Sequence, residues 1–366
     1  MTKKGMVGVG IIGTGFARTT QLPAFRACEG ARLVAVASGR RENAERVARE
    51  FGIPSVASDW REVIAHPEVH LVSIVTPPST HAEMTLAALE AGRAVLCEKP
   101  TAMNADESRR MREAASSSGL FAHLDHELRF LPARRLMREM IAAGEVGRVR
   151  HARLLFRSDS RASAERGWDW WSDAEAGGGV LGAIGSHAVD SLRWLLASEV
   201  SHVSASLATH VAERTDPQTN QPRRVTTDDE ATLLLHFTET DTVGRATASV
   251  SLSVVEAGPH EHSVEVYGSE GALRVDQNGR LLRARVGEGA WREVEVEDEA
   301  PLAEGLRDSE WSRGFTLFAR EIVAALAAGR RAVEGAATFD DGHRIQLVLD
   351  AARAAHEGGC RVTVAD

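Results

Sequence analysis

With 366 residues the chain exceeds one ordinary core, so two domains are the default expectation. Its 43% apolar and 26% charged content is that of a water-soluble globular protein, and no run approaches the ~18 uninterrupted apolar residues of a membrane span. A balance of 43 basic against 52 acidic residues, net −9, repels phosphate backbones and argues against a nucleic-acid partner.

The first ~120 residues alternate strand and helix in the rhythm of a parallel sheet. "VGVGIIG" is a buried strand, and "QLPAFRAC" belongs to the helix that follows. "RLVAVAS" is a second strand, and "RRENAERVAREFG" an amphipathic helix stopped by Gly52. "HLVSIVTPP" is a strand halted by two prolines, followed by the helix "STHAEMTLAALEAG"; "AVLCEKP" and "ADESRRMREAASSSG" are the next strand and helix. Repeated strand–helix units with short links predict an α/β, doubly wound parallel sheet over residues 1–122.

Beyond residue ~122 the rhythm changes. "VRHARLLFRS", "HVSASLATHVA", "DEATLLLHFT", "GRATASVSLSV", "HSVEVYGS", "GALRVDQ" and "WREVEVE" read as strands, mostly without helices between them. They predict an α+β domain over residues 123–366, built on a large, mainly antiparallel open sheet. The chain closes with two helical patterns, "WSRGFTLFAREIVAALAAG" and "DDGHRIQLVLDAARAAHEGG", expected to pack back on the first domain. "VAERTDPQTNQPRR" and "EDEAPLAEGLRDSE" read as loops.

The first strand runs into Gly13-Thr14-Gly15-Phe16-Ala17, the strand-to-helix context of a dinucleotide fingerprint. Glycine permits the tight turn and lets backbone amides approach a pyrophosphate at a helix N-terminus. Arg18 stands where a third small residue is usual, so Ala17 is expected to make the close contact, with Arg18 turned outward. After the second strand comes Ser38-Gly39-Arg40-Arg41, with no carboxylate to hold the ribose 2′-hydroxyl of NAD. A hydroxyl and two guanidinium forks suit a 2′-phosphate, which favours NADP over NAD.

Lys99, beside Glu98 in "CEKPTA", lies just past a strand's carboxyl end, where doubly wound sheets place ligands. Three consecutive glycines (177–179) imply backbone close to a ligand or another strand. Downstream, His187 and Asp190 fall three apart on a helix and share a face. His260 and His262 share a strand face without a third ligand, so no metal site is expected, and this reads as a solvated strand start. The three cysteines, Cys28, Cys97 and Cys360, form no CxxC; with no signal-peptide pattern at the start, they suit the cytoplasm.

These pieces, in this order, resemble the Gfo/Idh/MocA family of oxidoreductases along nearly the whole chain. The similarity is carried by "GVGIIGTGF", "TPPSTHAEMTLAALEAGRAVLCEKP", "RFLPARRLMREMIAAGEVGRV", "GGGVLGAIGSHAVDSLRWL", "EVYGSEGALRV" and "FDDGHRIQLVLDAA". The resemblance implies a Rossmann domain and a C-terminal open-sheet domain that assembles as a homodimer or homotetramer. It also implies hydride transfer between NAD(P) and a carbinol or carbonyl carbon of a sugar, polyol or related molecule. The family's catalytic lysine falls on Lys99 and its histidine on His187, and Thr76, Pro77, Pro78, His81 and Glu98 join the cofactor-binding set. The family usually carries an Asp four residues before the histidine; here that position is Ala183, and Asp190 is the nearest other carboxylate in sequence. Trp168, Trp170 and Trp171 are candidates to wall a pocket for a sugar ring, with Asp169, His126, Arg129 and Asp190 as weaker candidates for hydroxyl recognition. The same fold also hosts glycosidases that oxidise transiently with NAD, and dinucleotide-sensing regulators; retention of Lys99 and His187 argues against a pure sensor.

Overall fold

The computed structural model describes residues 5–163, 165–297 and 302–366, and the chain divides into two compact units. The first takes Met1–Leu131 and Glu299–His343; the second takes Pro132–Asp298 and Arg344–Asp366.

Six parallel strands build the first unit: β1 (Val7–Ile12), β2 (Ala31–Ala37), β3 (Ser55–Val56), β4 (Leu71–Ile74), β5 (Ala94–Cys97) and β6 (Ala122–Leu124). Their order is β3-β2-β1-β4-β5-β6, so the direction of winding reverses between β1 and β4. In open α/β sheets that reversal leaves a crevice at the carboxyl ends of the strands, where ligands bind. Every residue of β1, β4 and β5 is buried, as a sheet covered on both faces requires.

Helices α1 (Leu22–Ala27), α2 (Arg41–Phe51), α3 (Trp60–Ala65), α4 (His81–Glu90) and α5 (Ala105–Ser118) connect the strands. Their ends follow local chemistry. Asp59 caps α3 by accepting from the Arg61 amide, Asn104 caps α5 by accepting from the Glu107 amide, and Gly52 ends α2 at φ +68°. A later helix, α8 (Glu310–Ala327), closes one face of this sheet: Phe315, Phe318 and Ile322 join Val9, Leu22 and Phe25 in one apolar core. Phe318 stacks on Phe130 at 4.2 Å between ring centroids.

The second unit is built on a nine-stranded sheet of order β16-β15-β14-β13-β7-β12-β11-β8-β17. Its strands are β7 (Val149–Arg157), β8 (Val200–Ala208), β11 (Glu230–Phe237), β12 (Val243–Ser253), β13 (Glu261–Gly268), β14 (Gly271–Val275), β15 (Leu281–Arg285), β16 (Arg292–Val294) and β17 (Val362–Thr363). All neighbours are antiparallel except β7 and β12, so the sheet is mixed and mostly antiparallel, as expected. Helices α6 (Pro132–Ala142) and α7 (Ser186–Leu196) pack on one face; α9 (Phe339–Gly358) carries the chain from the first unit into the second.

Several sequence readings change, and the short strands β3, β6 and β17 join those read from the sequence. The stretch read as the loop "VAERTDPQTNQPRR" contains a hairpin, β9 (Glu213–Thr215) with β10 (Pro222–Arg224). β15 is an additional strand whose charged residues masked its pattern. His262 is not solvated: it is 3% exposed, its ring meets Phe156 edge-on, and its Nε2 lies 3.3 Å from Arg134. Of the two, His260 is the exposed one. In the loop "EDEAPLAEGLRDSE", residues 298–301 lie outside the described residues.

Candidate active site

Gly13 ends β1 at φ +102° and donates its amide to the Ala37 carbonyl at 2.9 Å. A Cβ on Gly13 would strike the Val75 carbonyl, so only glycine fits this turn. At Gly15 the space a Cβ would fill is open. A π-type turn, Ala17–Gln21, follows; such wide turns recur at functional sites. Ala17 is fully buried, Phe16 packs against the apolar core, and Arg18 points outward to Glu50 at 2.7 Å. Open backbone at Gly15, leading into the first turn of a helical run whose amides a helix start leaves available, fits the pyrophosphate of a dinucleotide.

The Thr14 hydroxyl meets that of Ser38 at 3.0 Å, joining this turn to the end of β2. Arg40 is exposed at the N-cap of α2, and Arg41, also exposed, pairs with Glu45 at 2.9 Å. No carboxylate stands between Ser38 and Arg41.

At the end of β4, Thr76 accepts from the Thr80 hydroxyl at 2.7 Å, and Pro77 and Pro78 lead into a short 3-10 turn. His81 is fully buried; its ring nitrogens lie 2.9 Å from the carbonyls of Thr76 and Pro100. It therefore ties the turn after β4 to the turn that carries Lys99. Burial holds its imidazole below the ordinary histidine range, and the Lys99 charge pushes the same way.

Lys99 is half-buried just past β5. Behind it lies a polar group that sequence patterns alone do not reveal. The Gln21 amide nitrogen donates to Glu98 and to Asp125, both at 2.8 Å, and its oxygen accepts from Ser73 at 2.6 Å. Glu98, Asp125 and Glu127 are all nearly inaccessible to solvent. Burial raises Glu98 above the usual carboxylate range, with the Lys99 charge opposing. It raises Asp125 and Glu127 further, reinforced by the charge on Glu98. The one available signal was three polar residues, "DHE", immediately after a buried strand. His126 and Arg129 are also buried, and Arg129 pairs with Asp341 at 3.2 Å.

In the second unit, His187 and Asp190 lie on α7, both buried, as is Ala183 in the π-type turn Leu181–Gly185 just before it. Two of the three consecutive glycines are explained by close approach. Gly179 has φ +102° and a Cβ there would meet the Asp228 carboxylate; a Cβ on Gly178 would strike the Trp171 carbonyl. Asp228 accepts from the Leu181 amide at 2.6 Å and so caps this helical run. Trp168 lies under the Arg223 guanidinium, 3.3 Å from the ring centroid, and its indole donates to the Arg224 carbonyl. Trp170 is 36% exposed. Asp169 is engaged by Arg161, at 2.7 and 2.9 Å, and by the Trp171 amide. Among the described residues no group of three His, Cys, Asp or Glu side chains is placed to hold a metal.

Comparison with known proteins agrees with this geometry. Residues 7–126 match the family model described as "Oxidoreductase family, NAD-binding Rossmann fold", and residues 135–274 match the GFO/IDH/MocA C-terminal domain. An uncharacterised oxidoreductase of Synechocystis sp. is 32% identical over 75% of this chain and 72% of its own. Levoglucosan dehydrogenase of Pseudarthrobacter phenanthrenivorans is 29% identical over 86% of this chain and 85% of its own. A levoglucosan dehydrogenase structure in complex with NADH and L-sorbose superposes with a TM-score of 0.87 at 27% identity, over 98% of this chain and 99% of that one. With both domain models matched in order and a glycine cradle shaped for a dinucleotide, the chain belongs to the Gfo/Idh/MocA family of NAD(P)-dependent oxidoreductases.

Proposed function

We propose that this enzyme interconverts a hydroxyl and a carbonyl on a sugar, polyol or related small molecule, with Lys99 and His187 as its catalytic pair. The observation that carries the reading is the turn after β5: Lys99 stands at the carboxyl end of a strand in the same sheet whose first turn forms the glycine cradle. A bound dinucleotide supplies or accepts a hydride at nicotinamide C4. Lys99 orients the reacting oxygen and offsets its developing negative charge. His187 removes the hydroxyl proton in the oxidative direction and returns it in the reductive one. The relatives support the substrate class, since one is named levoglucosan dehydrogenase and another 1,5-anhydro-D-fructose reductase.

The cofactor reading favours NADP. Ser38, Arg40 and Arg41 offer a hydroxyl and two guanidinium groups where an NAD-specific site has an acid. The assembly reading is a homodimer or homotetramer through the sheet face opposite α6 and α7, which presents Thr232, Leu234 and Ser249, all exposed. The domain reading keeps the cofactor in the N-terminal domain and the substrate and subunit contacts in the C-terminal one. Three free cysteines, two of them buried, fit a reducing compartment, and we place the enzyme in the cytoplasm. No helix among the described residues is long and apolar enough to cross a membrane.

The test is cofactor reduction with NADP+ or NAD+ against a panel holding levoglucosan, L-sorbose and simple polyols. Turnover with at least one, lost in Lys99→Ala and His187→Ala, supports the reading. Cleavage of a glycoside with no net cofactor reduction would replace it with transient-oxidation chemistry.

A further inference from the structure

We propose that Glu98, Asp125 and Glu127 form a proton-holding cluster that responds to the charge of the nicotinamide ring, binding fewer protons opposite the oxidised cofactor than opposite the reduced one. The inference rests on the reading of the glycine cradle and Lys99 given above, and goes beyond it in giving Glu98, already in the cofactor-binding set, a proton-holding role shared with Asp125 and Glu127, which that reading leaves without one.

Placement comes first. Glu98 ends β5, and Asp125 and Glu127 follow β6, so all three lie at the carboxyl edge of one half of the sheet. A doubly wound sheet binds a dinucleotide as two mononucleotide halves across the reversal point. The Ser38–Arg41 turn follows β2 and serves the adenosine half, which leaves the edge of β4, β5 and β6 for the nicotinamide half. Gln21 connects the two regions. It closes the π-type turn that begins at Ala17, and its amide grips both Glu98 and Asp125. Its orientation is fixed, because its oxygen accepts from Ser73 while its nitrogen faces the two acids.

Glu127 supplies the second, independent sign. It is 1% exposed, and neither carboxyl oxygen has a hydrogen-bond partner among the described residues. Burial with so little hydrogen bonding penalises the ionised carboxylate, so the protonated form of Glu127 is favoured, against the Lys99 charge and the residue's own amide. Gly314 of α8 presses on the same turn, where a Cβ would come within 2.6 Å of the Glu127 carbonyl, so the segment has no room to swing toward water.

Several charged groups among the described residues act on the cluster. Lys99 favours ionisation of Glu98 and Glu127; Glu310, at the start of α8, opposes ionisation of Glu127; the three acids oppose one another. Cys97 borders Glu98 and Asp125, but burial and their charges push its thiol far up, so it stays neutral. Among the described residues Lys99 favours ionisation while three mutually opposing acids resist it, so the protons they retain respond to changes in local charge. The oxidised nicotinamide ring carries a positive charge that the reduced ring lacks. A cation within about 4–6 Å of a carboxyl lowers its pKa by about 1–3 units. A shift of about one unit, centred on the working pH, changes the protons held by up to about half a proton.

The experiment is calorimetric titration of the whole protein with NAD+ and with NADH, and with the NADP+ and NADPH pair, between pH 7 and 8 in two buffers of different ionisation heat. The phosphates are common to each pair, so the difference within a pair isolates the ring. The expected result is that the oxidised form releases at least a few tenths of a proton more than the reduced form, by the same linkage. Asp125→Asn and Glu127→Gln, whose amides cannot lose a proton, should together abolish most of that difference while NADH still binds. Should the variants fail to fold, infrared difference spectra of the wild type give the same answer, since the carbonyl band of an un-ionised carboxyl should weaken when NAD+ replaces NADH. Binding of both forms with equal proton counts, or an unchanged difference in the double variant, overturns this inference alone. Absence of any dinucleotide binding overturns it together with the function it rests on.

Discussion

Two glycines two residues apart should fail in different ways when given a methyl group. Gly13 sits at φ +102°, and a Cβ there would strike the Val75 carbonyl, a backbone atom that cannot swing aside. Gly13→Ala therefore combines backbone strain of about 1–3 kcal/mol with overpacking of about 1–3 kcal/mol. At about 2–4 °C per kcal/mol for a domain of this size, melting should fall by roughly 5–20 °C. Gly15 has an ordinary backbone and open space, so Gly15→Ala should leave melting nearly unchanged. Its methyl group instead occupies the approach of the pyrophosphate. Loss of one charge-assisted hydrogen bond there costs about 1.5–3 kcal/mol, or roughly 10–150-fold in affinity. Thermal melting followed by circular dichroism, alongside NADPH fluorescence titration, separates the two effects. A Gly15→Ala protein that binds dinucleotide as tightly as wild type would falsify the placement of the pyrophosphate.

Other outcomes follow from the same geometry. Arg40→Ala should weaken NADPH by about tenfold or more and leave NADH nearly unchanged, and a wild type that prefers NADH in the same titration contradicts the 2′-phosphate reading. Lys99→Ala and His187→Ala should each lower turnover at least ~100-fold, the usual scale for lost acid–base help; near-normal rates in both would place the chemistry elsewhere. His123 accepts from the Val333 amide and lies 3.0 Å from the Ala337 carbonyl, so it is neutral, and burial lowers its pKa from the ordinary 6.5. Because the unfolded chain takes up that proton first, stability is complete above about pH 6.5 and falls as pH drops below it; a melting temperature flat down to pH 5 contradicts this. Light scattering should give a dimer or larger through an interface of at least ~1,200 Å², and a stable monomer at micromolar concentration refutes the sheet-face contact.

The parallel sheet was legible because its signals are local: apolar runs, Gly52 and Gly119 as stops, and prolines after β4. The inward placement of Ala17 and the outward Arg18 also followed from reading which small residue could fit the turn. What escaped depended on partners distant in sequence. Glu127 looks like any surface acid until Gly314 lets α8 close over it. His262 reads as solvated until Arg134 and Phe156 arrive from other elements. The triple glycine implied a close neighbour without naming it; the neighbours are the Trp171 carbonyl and the Asp228 carboxylate. Gln21 carried no signal, since a glutamine in a helical run is ordinary and only the fold sets it between two acids.

The most direct test of the central claim follows hydride itself. The protein is incubated with NADP+ or NAD+ and carbon-deuterated levoglucosan, L-sorbose or polyols, and the recovered cofactor is examined by NMR. Deuterium at nicotinamide C4 with wild type, and its loss in Lys99→Ala and His187→Ala, is the expected result. Tight dinucleotide binding with no deuterium transfer from any sugar-type alcohol, in either cofactor, would contradict it.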